Sequence, residues 1–456
     1  MIDYDKISKW LEIYFQEYIS ENISLTYLGD SYILSSSDSL KKIYISSIFH
    51  EYYSLGSTFN LGYLDVRVEH YNPSIGGRIP IPSIKGSTII IHRGNDDNGN
   101  IVNISFDLFG VIYWVLNRLE EYDDVDLDEH GRFKHSNLHS SKYDYFDRPI
   151  IDEITDLLSF LLFGYSISST CCSNVILSHD IDRPYLFYKK GFLKFLRTIL
   201  GDLLKRKSFY LFISTLHNWL RVVVFGKIGD PNFNFKKIVQ FSNNFQLKGC
   251  FYLIMDFVNK RYDSRYDVYS KEFIDSMSYV LESQHTIGLH PSYNSSISLE
   301  QLKKEITNFK KFSLHLGQEN LNISVRMHYL RIRIPHTIDQ LSNLGVSIDS
   351  SMGFSDVIGF RCGTCRPYRM INHFSGNIMN VKISPLLVMD NAVQKIINDD
   401  GYYSLMRRLT RVLRNAHVMG GDLTILWHND SYNDYRLMNV LGELIKKYNH
   451  NKTKCH

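Results

Sequence analysis

Residues 174–184 of the chain read Asn174-Val-Ile-Leu-Ser-His-Asp-Ile-Asp-Arg-Pro184. The apolar run Val175–Leu177 is typical of a short buried strand, and Pro184 ends it. Because side chains alternate along a strand, Asp180 and Asp182 face the same way, about 6–7 Å apart. Carboxylates are costly to bury without a partner, so the pattern predicts a site that holds a metal ion or shares a proton with a substrate. A solvated turn after the strand is the alternative, since Asp and Pro are common in turns.

The composition of the 456-residue chain is that of a globular protein, with 44% hydrophobic and 22% charged residues. This length allows two or three domains. The net charge of +3 gives no indication of a nucleic-acid partner. Six cysteines in so long a chain do not indicate a disulfide framework. We see no signal peptide and no run of 18 uninterrupted apolar residues, so we expect a cytoplasmic protein without a membrane span.

The order of apolar patterns divides the chain into two parts. Residues 1–165 combine a helical pattern with several short strand patterns, which predicts an N-terminal α/β domain of unknown function. We expect its charged residues at the surface and at the domain interface. Residues 166–456 alternate strands and helices, which favours a parallel sheet or barrel with its active site at the carboxyl ends of the strands.

A basic, apolar segment at residues 189–227 interrupts the second part directly after the Asp-rich strand. It contains nine Lys or Arg residues against a single acid, Asp202, with aromatic and aliphatic residues between them. An amphipathic helical insertion of this kind could make peripheral contact with anionic lipid or with a membrane-bound partner. A lid helix with a solvated basic face is the other interpretation.

Polar residues also follow the other predicted strands of the second part. His290 follows one strand, Arg326 and His328 follow another, Asp349 ends a third, and His428 follows the last. A single His after a strand is more often a hydrogen-bonded residue of the core or rim than a metal ligand. Several histidines and acids at successive strand ends favour one shared site.

The segments that carry these residues occur in the order of the polysaccharide deacetylase motifs. They are Ser178-His-Asp-Ile-Asp182, Gly288-Leu-His-Pro-Ser-Tyr293, Arg326-Met-His-Tyr-Leu-Arg331, Asp349-Ser-Ser-Met-Gly-Phe354 with Gly359-Phe-Arg-Cys-Gly-Thr364, and Leu426-Trp-His428. Residues from about 170 to 445 therefore resemble that family, the NodB-homology or carbohydrate esterase family 4 group. The N-terminal part resembles an uncharacterised domain that precedes this module in a bacterial subgroup.

The resemblance implies a distorted (β/α) barrel that holds one divalent metal ion, often zinc, and removes acetyl groups from an acetylated saccharide. By position, Asp180 corresponds to the base and Asp182 to the metal-binding Asp of the family. His290 corresponds to the first metal-binding His, Arg326 to the arginine of the third motif, and His428 to the closing histidine that acts as acid. A metal that activates water, together with a carboxylate and an imidazole that move protons, is coherent chemistry for hydrolysis.

Four further residues of the motifs are candidates by their position. Asp349 is a further catalytic candidate, and Tyr293, Arg361 and Trp427 are substrate-binding candidates. The family has two adjacent acids in its first motif, whereas Ile181 separates them here. Either acid could therefore be the base.

A second departure concerns the metal ligands. Asn294 stands four residues after His290, where the family usually has its second metal-binding His. Asn is a poor zinc ligand compared with His. Asn294 stays among the metal candidates with His328, and either His328 or His179 could complete the set. Otherwise the site binds metal weakly or has lost it.

The leading hypothesis is a metal-dependent deacetylase that acts on an acetylated sugar or polysaccharide precursor. A catalytically inactive carbohydrate-binding or scaffolding protein on the same fold is the first alternative. Hydrolysis of a different C–N or ester bond is the second, because a fold does not fix its substrate. Cys362-Gly-Thr-Cys365 could be a redox or zinc pair, but it lacks a second CxxC and lies inside a motif that the resemblance explains.

Overall fold

The structure is a computed structural model that describes residues 3–47, 62–66, 75, 78–83, 89–94, 100–122, 126–167, 174–188, 192–319 and 322–452. It divides the chain into two compact units. Unit 1 comprises residues 1–175, 322–425 and 447–456, and unit 2 comprises residues 176–321 and 426–446. The boundary that the sequence predicts near residue 165 stays a prediction.

The helices and strands of the described residues are numbered here in chain order. The α-helices are α1 Tyr4–Tyr18, α2 Leu108–Leu116, α3 His139–Lys142, α4 Ile150–Phe163, α5 Phe192–Leu204, α6 Phe209–Phe225, α7 Phe235–Asn244, α8 Lys271–Glu282, α9 Leu299–His315, α10 His336–Asn343, α11 Asp390–Val418 and α12 Tyr435–Lys452. The strands are β1 Ile23–Tyr27, β2 Ser31–Ser36, β3 Ser39–Ser46, β4 Gly62–Val66, β5 Ile79–Ser83, β6 Ile91–Gly94, β7 Ile101–Ile104, β8 Val175–Ile181, β9 Gly249–Leu253, β10 Thr286–Leu289, β11 Ser324–Val325, β12 Ile348–Asp349, β13 Tyr368–Ile371, β14 Ile378–Ile383, β15 Val388–Met389 and β16 Leu423–Leu426.

Unit 1 begins with a helix and a five-stranded sheet in the order β1-β2-β3-β7-β6. Helix α1 starts at the N-cap Asp3, whose carboxylate accepts a hydrogen bond from the Lys6 backbone N–H at 3.1 Å. It buries one apolar face, which includes Trp10 and Phe15. The indole Nε1 of Trp10 donates to the carbonyl of Arg369 at 2.7 Å. The first helix thereby joins the N-terminal residues to strand β13 of the same unit.

Unit 2 contains three parallel strands, β8, β9 and β10, joined by helical connections. In the strand register, Ile181 pairs with Leu253, and Leu253 pairs with Leu289. Helix α7 leads into β9, α8 leads into β10, and α9 follows β10. This βαβ order is the one predicted from the alternating apolar patterns.

The longest sheet has nine strands in the order β13-β14-β12-β11-β10-β9-β8-β16-β15. Strand β13 runs antiparallel to β14, whereas β12 is parallel to both β11 and β14. The described residues therefore form a mixed α/β structure with a half-barrel sheet. The closed (β/α) barrel that the resemblance implies is not confirmed, because the two end strands of this order do not pair within the described residues.

One helix departs from the expectation that no segment could span a membrane. Residues Phe209–Gly229 form a helix of 21 residues that is long and apolar enough to do so, judged by length and composition alone. No residue of Phe209–Phe225 within this stretch is buried inside the structure.

Candidate metal and acid–base site

The register of the parallel strands in unit 2 places Asp182 and His290 at equivalent positions. Ile181 and Leu289 are both level with Leu253 of the strand between them. Asp182 and His290 each follow immediately after that row. Both side chains therefore emerge at the carboxyl edge of the strands, where active sites of α/β sheets lie.

Four side chains of unit 2 meet at this edge. Nε2 of His290 lies 3.1 Å from Oδ1 of Asp182 and 3.6 Å from Oδ2 of Asp180. Nε2 of His428 lies 3.6 Å from Oδ2 of Asp182. Asp180 and His290 are almost fully buried, whereas the side chains of Asp182 and His428 keep 22% and 12% of their surface exposed. The partly exposed side of the cluster is therefore the side formed by Asp182 and His428.

Backbone hydrogen bonds hold the Asp-rich segment in place. The N–H of Asn429 donates to the carbonyl of Asp180 at 3.3 Å. The hydroxyl of Tyr266 donates to the carbonyl of Ile181 at 3.0 Å and accepts from the N–H of Ile254 at 2.7 Å. Burial raises the pKa of the Tyr266 hydroxyl well above its usual range, so it stays protonated and can keep donating.

Tyr266 and Asn429 are positioning residues that the sequence reasoning missed. The side-chain amide of Asn429 donates to the carbonyls of Arg183 and Asn232, each at 3.0 Å. Asn429 directly follows His428, so its place next to a motif could have drawn attention to it. Tyr266 lies in a loop with no pattern of its own, and no sequence signal points to it.

The carboxylate and imidazoles fit a divalent metal ion. One ligand atom each from Asp182, His290 and His328 lie within 4.8 Å of one another, so this group could hold a metal ion. Two imidazole nitrogens and one carboxylate oxygen are a donor set that zinc accepts in catalytic sites, where a fourth position stays open for water or substrate. The metal type is not determined by this set.

His328 and His179 are the two histidines considered as an additional ligand, and His179 lies away from the candidate metal site. It is fully buried, and its Nδ1 lies 3.3 Å from the carbonyl oxygen of Trp427. Its ring packs against Phe251 and Tyr432. His179 alternates with Asp180 along β8 and so projects to the opposite face of the strand.

The backbone next to His328 is unusual. Tyr329 and Leu330 both have positive φ angles, 61° and 54°, which bulky L-residues rarely adopt. Such conformations cost on the order of 1–3 kcal/mol each and cluster at functional sites. Nη1 of Arg132 donates to the carbonyl of Tyr329 at 2.8 Å and helps to hold this turn within unit 1.

Asn294 lies in a short 3-10 turn and is half-buried. Its side-chain oxygen accepts a hydrogen bond from the amide of Asn259 at 3.3 Å. The neighbouring Tyr293 is buried, and its ring stacks on Tyr262 with centroids 4.1 Å apart. Trp427 is fully buried. Substrate binding by Tyr293 and Trp427 stays a prediction, as does metal binding by Asn294.

Arg326 and Asp349 are buried side by side in unit 1. Nε of Arg326 donates to the carbonyl of Ser350 at 3.0 Å, and Nη2 donates to the Ser350 hydroxyl at 2.7 Å. The carboxylate of Asp349 accepts from the N–H and the hydroxyl of Ser351 at 3.1 and 2.6 Å. Burial raises the pKa of Asp349 to about 6, against the opposing effects of Ser351, Arg326 and Arg361. A catalytic role for either residue stays a prediction.

Arg361 makes a two-pronged ion pair inside unit 1. Its Nε and Nη2 donate to the two carboxylate oxygens of Glu121 at 3.0 and 2.5 Å. Arg118 donates to the same carboxylate at 2.8 Å. Burial raises the pKa of Glu121, but the two arginines outweigh that effect and hold it below its usual value. Arg361 also borders a cavity of about 290 Å³, so substrate binding through its remaining surface stays a prediction.

Several charged residues of the N-terminal part lie away from the surface, and two of them, Glu121 and Asp152, contact Arg361 and Thr364 of the second part of the chain. Arg118, Glu121, Asp152 and Glu153 are buried. Charged residues that follow an apolar helix are expected to be solvated, because the sequence does not show which buried partner each charge will contact.

Both cysteines of the CxxC sequence are free and buried. The Cys365 thiol lies 3.0 Å from Oδ2 of Asp152, which also accepts the Cys365 N–H at 2.9 Å. A Cβ on Gly421 would lie only 2.2 Å from the Cys365 sulfur. Within the described residues, neither cysteine belongs to a group that could hold a metal.

Comparisons with known proteins cover the two parts of the chain differently. Residues 7–164, less than half of the chain, match a family of unknown function, DUF7033. No curated protein matches. A crystal structure of a candidate polysaccharide deacetylase from Mycobacterium smegmatis has 10% identity and a TM-score of 0.37, and covers 61% of this chain and 85% of that one. A 4-alpha-glucanotransferase from Thermococcus litoralis has 9% identity and a TM-score of 0.31, and covers 60% of this chain and 37% of that one. TM-scores this low support no conclusion about function.

Proposed function

We propose that the chain is a metal-dependent hydrolase that removes acetyl groups from an acetylated saccharide. The observation that carries the proposal is the meeting of Asp180, Asp182, His290 and His428 at one strand edge. The ordered motifs support the same chemistry. In this cluster of two carboxylates and two imidazoles, Asp180 and His290 are almost fully buried, and they have no evident structural purpose that apolar side chains would not serve at lower cost.

Asp182, His290 and His328 would hold the metal ion. A divalent metal bound there would polarise the acyl carbonyl and lower the pKa of a water molecule. With Asp182 among the ligands, Asp180 is the carboxylate left to serve as base. The proposal thereby gives one role to each of the two acids that Ile181 separates in the sequence.

The remaining residues move protons. Asp180 takes a proton from the attacking water as its oxygen bonds to the acetyl carbon. His428 gives a proton to the leaving nitrogen or oxygen as the bond to the acetyl group breaks, which releases acetate and the deacetylated sugar. The partial exposure of His428 suits a group that must meet a substrate.

The test measures bound metal and acetate release separately. We expect the purified full chain, supplied with zinc or cobalt, to retain close to one equivalent of metal and to release acetate from acetylated oligosaccharides. Asp182→Ala and His290→Ala should lose both metal and activity. Asp180→Asn and His428→Ala should lose activity by about 10²–10⁴-fold and keep the metal.

The control variants replace an Asp and a His of unit 2 that lie outside the candidate site. Asp275 and His315 are exposed residues of the same unit, so Asp275→Ala and His315→Ala should change neither metal content nor activity. Metal in the wild type without acetate release from N- or O-acetyl sugars would move the assignment to another C–N or ester bond. Absence of metal, combined with saccharide binding, would instead establish the inactive carbohydrate-binding alternative.

A further inference from the structure

Helices α5 and α6 of unit 2 pair to form a hairpin, residues 192–229. Residues 189–191 of the predicted insertion lie outside the described residues. The indole of Trp219 stacks on Phe195 with ring centroids 4.4 Å apart, and the hydroxyl of Thr215 donates to Asp202 at 2.7 Å. Phe195 contacts Trp219, whereas Asp202, later on the first helix, contacts Thr215, earlier on the second. The two helices therefore run antiparallel.

The hairpin is anchored at its base. The carboxylate of Asp230 accepts hydrogen bonds from the N–H groups of Leu186, Phe187 and Tyr188 at 2.7, 2.8 and 2.9 Å. The chain therefore leaves and re-enters the rest of unit 2 at one fixed place. The hairpin is a defined projection whose orientation at the base is set by a buried carboxylate.

Beyond the base, the hairpin exposes an unusual amount of apolar surface. Of the thirty exposed large hydrophobic residues among the described residues, fourteen lie within it. No residue of α6 is buried. Single exposed apolar residues are ordinary, whereas a continuous apolar patch marks an interaction site.

Most of the exposed apolar residues of the two helices lie on one side, with Leu211 and Phe225 of α6 as exceptions. The exposed residues Phe192 and Leu203 on α5, and Phe209, Leu220 and Val223 on α6, lie about 40–100° around each helix from the contacting residues Phe195 and Trp219. Leu193, Leu200 and Leu204 on α5 and Ile213 and Val224 on α6 extend these apolar faces outward. Viewed along its axis from the N-terminus and followed clockwise, at about 100° per residue, each helix presents first the face that contacts the other helix, then its apolar face, and then its polar face. For antiparallel helices this order places both apolar faces on the same side of the hairpin.

The charge of the hairpin has one sign. It contains seven Lys or Arg residues and one acid, a net charge of +6. That acid, Asp202, is buried and paired with Arg206 and Thr215 inside the hairpin. The basic groups include Lys205, Arg206 and Lys207 in the turn between the helices.

We infer that the hairpin docks on the surface of an anionic phospholipid bilayer, with both helices lying in the interface. Apolar side chains on one side and Lys or Arg around them are the properties of interfacial helices. Insertion across the bilayer would carry the three cations of the turn through hydrocarbon, which is costly. Docking of two copies through the hairpin would bring two surfaces of charge +6 together.

The experiment is flotation of the purified full chain with lipid vesicles. We expect binding to vesicles of phosphatidylcholine with 30% phosphatidylglycerol, at least tenfold weaker binding to phosphatidylcholine alone, and weakening by 0.5 M salt. Leu204→Glu/Val224→Glu places an acid on each helix where the side chains are 74% and 70% exposed, and should weaken binding at least tenfold. Lys205→Gln/Lys207→Gln should weaken it about 25-fold, at ~5-fold for each basic residue.

Leu40→Glu/Leu314→Glu is the matched control, because these leucines are 84% and 62% exposed outside the hairpin. It should bind vesicles like the wild type, and all variants should keep the wild-type thermal unfolding temperature. Three results would each overturn the inference. They are no flotation with either vesicle, equal binding to neutral and anionic vesicles, and a lipid-free dimer in sedimentation velocity that Leu204→Glu/Val224→Glu dissociates. The last result would assign the hairpin to self-association.

Discussion

Substitution of Glu121 by Gln tests whether Arg361 is first of all a structural residue. The Glu121 carboxylate accepts two hydrogen bonds from Arg361 and one from Arg118, and all three side chains are buried. Glu121→Gln keeps the shape of the side chain but removes its charge and one of its acceptor oxygens. Two buried guanidinium groups then share a neutral amide.

The magnitude follows from the burial of the pair. Removal of one partner of a buried ion pair costs about 3–5 kcal/mol, because the remaining charge stays buried without compensation. For a folding unit of this size, ~2 °C is lost per kcal/mol, so the transition that contains unit 1 should fall by about 6–10 °C. Differential scanning calorimetry on the full chain measures this shift.

Glu129→Gln is the control, since Glu129 has 85% of its side chain exposed and lies 3.6 Å from His130. It should shift the transition by less than ~1 °C. The double variant Glu121→Gln/Arg361→Met should lose less than the sum of the two single variants, with a coupling of ~2 kcal/mol. A loss below ~1 kcal/mol for Glu121→Gln, or strict additivity in the double variant, would refute the structural role of this pair.

Three further outcomes are expected. Because burial raises the pKa of Asp349 from 3.8 to about 6, the folded chain binds more protons than the unfolded chain between these values, and stability falls by ~3 kcal/mol as pH rises through that window. Asp349→Asn should remove this slope in urea midpoints measured from pH 4 to 7. Asp230→Ala removes the acceptor of the N–H groups of residues 186–188 and should lower the free energy of unfolding by ~3 kcal/mol, again in urea. The thiols of Cys362 and Cys365 should not react with a thiol reagent until the chain unfolds, whereas Gly421→Ala should cost ~1–3 kcal/mol and expose Cys365 to it.

Much of the fold follows from periodic patterns in the sequence. The strand pattern of residues 286–289 and the helix pattern of residues 299–314 coincide with β10 and α9 almost to the residue. Both patterns are long or sharply bounded, and the apolar face of each meets a core. Short strands such as β11 and β12 are two residues each, which is too short for a period to be measured. A closed barrel depends on which strands pair at the ends of a sheet, and a local pattern holds no information on that pairing.

The residues of the candidate site were also predictable only in part. Strand ends are readable, so Asp182 and His290 could be expected at one edge before their contact was known. The choice between His328 and His179 could not be made, because it depends on which side of a strand or turn each ring takes. His179 lies one residue before Asp180 and projects to the opposite face, whereas the left-handed residues after His328 turn the chain in a way that no propensity predicts.

Arg361 shows why a motif position is weaker evidence than a side chain's partners. An arginine next to a candidate site looks like a ligand for an anionic or polar substrate, and the motif gives it that role. The carboxylate that meets it belongs to Glu121, 240 residues earlier in the chain, which no local pattern connects to it. A guanidinium bound by both oxygens of a buried carboxylate has most of its donors engaged, so a substrate must compete with a strong pair. The ion pair therefore explains the burial of both residues without a substrate, and only the remaining surface of Arg361 at the cavity is left for one.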